Sequence, residues 1–140
     1  MDTLALYRGF VTAMLFCGVL DDAYPDEGNT GLVESDLSPK ARRQLEIDCQ
    51  LFAEVAASLV GDVDDEEFGR NFYYSREGHG TGFWDLGLGE CGERLHALAT
   101  SFPQCEPYVA GGRVYINASR LAQVALFRDP PTEVSRYQLW

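Results

Sequence analysis

The chain has 140 residues, 46% of them hydrophobic, and carries 22 acidic against 11 basic side chains for a net charge of −11. This is one domain's length with enough apolar material for a core, so a disordered chain is excluded, and the charge disfavours nucleic acid or an anionic membrane as a direct partner. The longest apolar stretch, Leu4 to Leu20, is interrupted by Arg8 and Gly18; it is too short to span a bilayer and lacks a signal peptide's basic flank, which makes the cytoplasm the expected location.

Residues 3–17 predict a first helix, with Leu4, Tyr7, Val11, Met14 and Leu15 as its apolar stripe and Gly18 as its stop. Residues 21–37 read as an irregular acidic loop with the turn formers Pro25, Gly28, Asn29 and Gly31. Ser38 followed by Pro39 is a strong helix start. Leu45, Cys49, Phe52, Val55, Ala56 and Leu59 keep helical period from there to Val60, with Gly61 as the stop. Asp64, with Glu67 three residues on, predicts the cap of a third helix that places Phe68, Phe72 and Tyr73 inward and fails by Gly78. Asp65, Glu66 and Glu67 suit the positive end of that helix's dipole.

Residues 78–92 hold six glycines, the mark of a loop that closely approaches something or adopts positive φ. Glu90 to Phe102 predicts a fourth helix with Leu95, Leu98, Ala99 and Phe102 inward, stopped by Pro103. Tyr108-Val109 and Val114-Tyr115-Ile116 around Gly111-Gly112 predict a β-hairpin. Ala118 to Phe127 can form a last short helix before Pro130-Pro131 and an extended tail over 128–140.

The four cysteines, at 17, 49, 91 and 105, have no C-x-x-C spacing, and only His79 and His96 could join them. Reduced thiols are expected, with no metal and no cofactor. Gly87 to Gly92 matches G-x-G-x-x-G, but no strand precedes it and Glu90 stands where a pyrophosphate would lie, so no dinucleotide site is expected there. The loop residues His79, Phe83, Trp84 and Asp85 carry two readings. In one, His79 and Asp85 form an acid–base pair, with Ser75, Thr81 or Cys91 as nucleophile. In the other, Asp85 caps the following helix, His79 bonds to backbone, and the aromatic pair either plugs the core or forms a contact hot spot.

Residues 71–85, N-F-Y-Y-S-R-E-G-H-G-T-G-F-W-D, resemble a motif of short phage and mobile-element proteins that reads D-F-W-L-T-R-N-G-H-G-A-G-F-W-D-R and continues G-L-G-E-L-G. Leu86 stands here for the motif's Arg and Cys91 for its Leu. Phe10-Val11-Thr12, the acidic middle and the hairpin near Tyr108 also fit that layout, which covers residues 8 to 116 and leaves the segment from Ala118 onward as an addition. The resemblance implies a phage or prophage product working in a bacterial cytoplasm. Small acidic proteins of that origin often disable host defence machinery, such as CRISPR effectors or restriction enzymes, some by presenting carboxylates where the target expects phosphates.

The expected fold is α+β: a mainly helical single domain over residues 1–140, with four to five helices and a small C-terminal β-hairpin. Residues 1–67 hold all the excess negative charge, and residues 68–140 are neutral. A binding role is favoured over an enzymatic one: an anti-CRISPR-like inhibitor meeting a host protein or ribonucleoprotein with a basic surface. Its contact residues would be Asp21, Asp22, Asp26, Glu27, Asp62, Asp64, Asp65, Glu66, Glu67 and Trp140. The alternatives are a small enzyme centred on His79 and Asp85, and a phage accessory protein that self-associates through Trp140 and the hairpin.

Overall fold

The structure, a computed structural model, describes residues 1–18, 31–59 and 61–117. Four α-helices precede a hairpin: α1 (Thr3–Ala13), α2 (Pro39–Ala56), α3 (Asp65–Glu77), α4 (Glu90–Thr100), β1 (Tyr108–Ala110) and β2 (Arg113–Tyr115). This is the mainly helical α+β arrangement expected from the sequence. The expected helix over 118–127 and the tail over 128–140 lie outside the described residues.

The helix starts follow from local chemistry. Asp2 caps α1 by accepting the backbone N–H groups of Leu4 and Ala5. Ser38 caps α2 by accepting the Ala41 N–H, with Pro39 in the first turn. Asp64 caps α3 by accepting from Glu66 and Glu67. Each such cap satisfies donors that the helix itself leaves open, at about 1 kcal/mol apiece. The helix ends depart from regular α geometry. α1 passes into a π-helical segment at Met14–Gly18, α2 into a 3-10 turn at Ala57–Leu59, and α4 ends two residues before Phe102.

α1 and α3 run parallel, side by side. The Asp2 N–H donates to Asp65 Oδ2 at 3.0 Å, Gly69 abuts the Leu6 carbonyl, and the Phe10 ring meets that of Tyr73 at 5.4 Å. Those three pairs share one sequence offset, 63, as parallel helices in register require. Two glycines permit the approach: a Cβ on Gly9 would overlap the Glu66 carbonyl, and one on Gly69 would overlap that of Leu6. The inward face of α1 therefore includes Leu6 and Phe10, which the expected stripe omitted, whereas Leu4, placed in that stripe, is 54% exposed. The stripe was drawn for one neighbour, and this helix has neighbours on more than one side.

The core is a phenylalanine cluster. Phe52 of α2 stacks on Phe72 of α3 at 3.9 Å and 4°, with Phe10, Phe68, Phe83 and Phe102 around them. Each ring contributes about 1.5–3 kcal/mol through burial. Beyond α4, the Glu77 carboxylate accepts the N–H groups of Cys105 and Glu106 at 2.8 and 3.3 Å and ties that segment to the end of α3. The hairpin pairs Tyr108 with Tyr115 and Val109 with Val114. It is held to the start of α2 by a parallel bridge between Leu37 and Val114 and by the Ser38 N–H on the Val114 carbonyl at 2.8 Å. No helix among the described residues is long and apolar enough to cross a membrane.

Candidate functional site: a locked glycine-rich turn

The motif residues gather around Ser75, a buried serine in the last turns of α3. Its Oγ accepts the Phe83 N–H at 3.1 Å and shares a hydrogen bond with His96 Nδ1 of α4 at 3.0 Å. Gly82 lies so close that any side chain there would overlap Ser75 Oγ. The turn that follows, Phe83–Asp85, is a single 3-10 turn closed by Asp85. One carboxylate oxygen accepts the Gly82 N–H at 3.0 Å and the other accepts the Thr81 hydroxyl at 2.7 Å. These bonds, the Thr81 one foremost, hold the Asp85 carboxyl below its ordinary range.

This geometry corrects two expectations. Asp85 closes its own turn and does not cap α4, whose N-cap is Gly89 with no side-chain bond. His79 does not reach Asp85 either: its Nε2 bonds the Tyr73 hydroxyl at 3.3 Å, and its ring packs on Tyr73 and Tyr74. Of the local nucleophile candidates, Ser75 is fully buried and already accepts a backbone N–H. Thr81 is spent on Asp85, and Cys91 is exposed. Of the two readings of this loop, the acid–base pair at His79 and Asp85 is replaced by two separate structural contacts.

The aromatic pair divides. Phe83 is fully buried in the core, and Trp84 beside it is 52% exposed. Phe83 packs on Phe68 at 4.9 Å between ring centres, which brings the turn back beside the first turn of α3. That first turn is the acidic run. Asp64 is committed to capping and Asp65 to the N–H of Asp2. Asp62 and Glu66 are exposed, and Glu67 is half-buried. Asp21, Asp22, Asp26, Glu27 and Trp140 lie outside the described residues.

A second polar centre was not foreseen. Arg76 and Asp48 form a fully buried ion pair, Nη2 to Oδ2 at 2.8 Å. Arg76 Nε donates to the Pro103 carbonyl at 2.8 Å, and the guanidinium lies over the rings of Phe10, Phe72 and Phe102 at 5.3–5.7 Å. Burial pushes the Asp48 carboxyl up to about 6 against the pull of Arg76. Burial likewise pushes the Cys49 and Cys105 thiols up, so these two are poor nucleophiles. The signal was present in the sequence: Asp48 sits between Leu45 and Phe52 on the α2 stripe, and Arg76 one turn after Phe72.

Clefts of about 910, 410, 330 and 420 Å³ open on the surface, and none is lined by Ser75, His79, Asp85 or His96. Among the described residues no group of three His, Cys, Asp or Glu side chains is placed to hold a metal ion. The chain matches no protein-family model, no curated protein and no solved structure.

Proposed function

We propose that this protein is a binding module, an inhibitor that docks on a host defence or nucleic-acid-handling complex in the bacterial cytoplasm, as the motif resemblance implies. The observation that supports a binding role is the presentation of Trp84. An exposed indole sits on a turn fixed by Ser75, Asp85 and buried Phe83. A rigid aromatic anchor loses little conformational freedom on binding, and tryptophan is enriched among hot spots. The carboxylates of Asp62, Glu66 and Glu67 precede and open the helix turn that Phe83 packs against. Such an acidic neighbourhood suits a basic partner surface and steers its approach.

Asp64 and Asp65 leave the contact set under this reading, because their carboxylates maintain the starts of α3 and α1. The test is a pull-down from bacterial lysate with the tagged full chain, eluted by rising salt. A stoichiometric complex released by salt, and lost with Trp84→Ala, is the expected result. Capture that survives both Trp84→Ala and joint neutralisation of Asp62, Glu66 and Glu67 would overturn the reading.

A further inference from the structure

The cleft of about 910 Å³ between the first turn of α2 and the hairpin lies within the size range of small-molecule sites. Three kinds of group meet there. The first is cationic: Lys40 from α2 and Arg113 from β2 line it, and Arg43 lines the adjoining cleft together with Lys40. None of the three forms an ion pair among the described residues. They make a local positive patch on a chain of net charge −11. One carboxylate, Glu106, also lines the cleft and accepts from Asn117 Nδ2 at 3.3 Å.

The second group is aromatic. Tyr108 and Tyr115, paired across the hairpin, stack at 5.4 Å and 20°. Tyr108 remains 53% exposed, so the stack is open to a further flat ring. The third is Gln44, 6% exposed, whose Oε1 is buried without a hydrogen-bond partner. A carbonyl left this way is unfavourable, and because its oxygen has no accessible surface, an N–H donor in the cleft reaches it once the Gln44 amide turns outward. An inorganic anion answers only the cations. A ligand answering all three groups carries a negative charge, a flat ring and a ring-borne or exocyclic N–H.

We propose that this cleft binds a small anionic ligand of the nucleotide class, with phosphate toward Lys40 and Arg113, ring on the tyrosine stack and base edge toward Gln44. A nucleic-acid polymer is disfavoured, because its many phosphates would meet the acidic remainder of the surface. The site is separate from the G-x-G-x-x-G string at 87–92 and from Trp84, none of which lines it.

The test is calorimetric titration of the full chain with the four ribonucleoside monophosphates, with inorganic phosphate and hexaglutamate run in parallel. Saturable binding of at least one nucleotide is expected, weakened about tenfold by Lys40→Glu or Arg113→Glu through loss of a charge-assisted contact. Tyr108→Ala and Gln44→Leu should weaken nucleotide binding and leave phosphate binding unchanged. The Tyr108, Lys40 and Arg113 variants alter exposed side chains, so their melting temperatures serve as fold controls. Equal affinity for phosphate and nucleotides would reduce the site to an anion patch and overturn the proposal. Binding of hexaglutamate alone would make it a peptide surface, and no binding of any nucleotide would remove it.

Discussion

Asp48 and Arg76 face each other at 2.8 Å with no exposed side-chain surface, one on α2 and the other on α3. Arg76 is also enclosed by three phenylalanine rings and bonded to the Pro103 carbonyl. Removing one partner strands the other charge in an apolar surround. Asp48→Ala or Arg76→Ala should therefore each cost about 3–5 kcal/mol, whereas the double variant Asp48→Leu/Arg76→Met should recover much of the loss. Urea unfolding of the three variants checks this, and additive losses would deny the coupling.

The same carboxyl gives a pH signature. Its folded value, about 6, lies above the ordinary 3.8, so between these the native state holds a proton that the unfolded chain has released. Stability from this group is full below the unfolded value and lost as pH rises through the folded one. Relative to Asp48→Asn, which cannot titrate, the wild type should gain about 2–2.5 kcal/mol as pH falls from 7 to 4. Parallel unfolding curves across that range would refute the assignment.

Gly9 and Gly69 should tolerate nothing larger. Alanine at either places a methyl group on a backbone carbonyl of the facing helix. Backbone moves far less readily than the end of a side chain, and a loss of about 2–4 kcal/mol is expected from the forced separation. Gly80→Ala, with open space around it, is the control, and its melting temperature should match that of the wild type.

Phe83 and Trp84, neighbours in sequence, should respond oppositely. Phe83→Ala should cost about 3–5 kcal/mol, as for any large ring removed from a core. Trp84→Ala should stay within about 0.5 kcal/mol and act on partner capture. Ser75→Ala leaves the Phe83 N–H buried without its acceptor, and a loss of about 1–3 kcal/mol follows. Thermal unfolding of the three variants distinguishes these roles.

What could be read in advance was what depends on near neighbours. Ser38-Pro39 and Asp64 cap helices through contacts two or three residues away. Gly111-Gly112 turns a hairpin whose pairs lie within eight positions. What escaped depends on residues far apart in the chain. Nothing near Ser75 indicates that its hydroxyl meets His96, 21 residues on, and nothing near Phe83 says that it, and not Trp84, joins the core. Asp85 was read in the wrong direction because an aspartate before a helix and one closing a turn behind it look alike in a sequence. Asp48 and Arg76 are charges on apolar stripes, a signal from which no expectation was drawn, and only the packing of α2 on α3 shows that they answer each other.

The parallel register of α1 and α3 has a kinetic consequence. α1 leaves the ribosome before α3, and the partner it lies against is made some 63 residues later. The contact of Gly9 and Phe10 with α3 therefore has no partner through the synthesis of α2, and it closes a long stretch of chain. Topologies of that kind fold more slowly than bundles of sequential hairpins. α1 can take its place against α3 only when α3 has emerged to receive it.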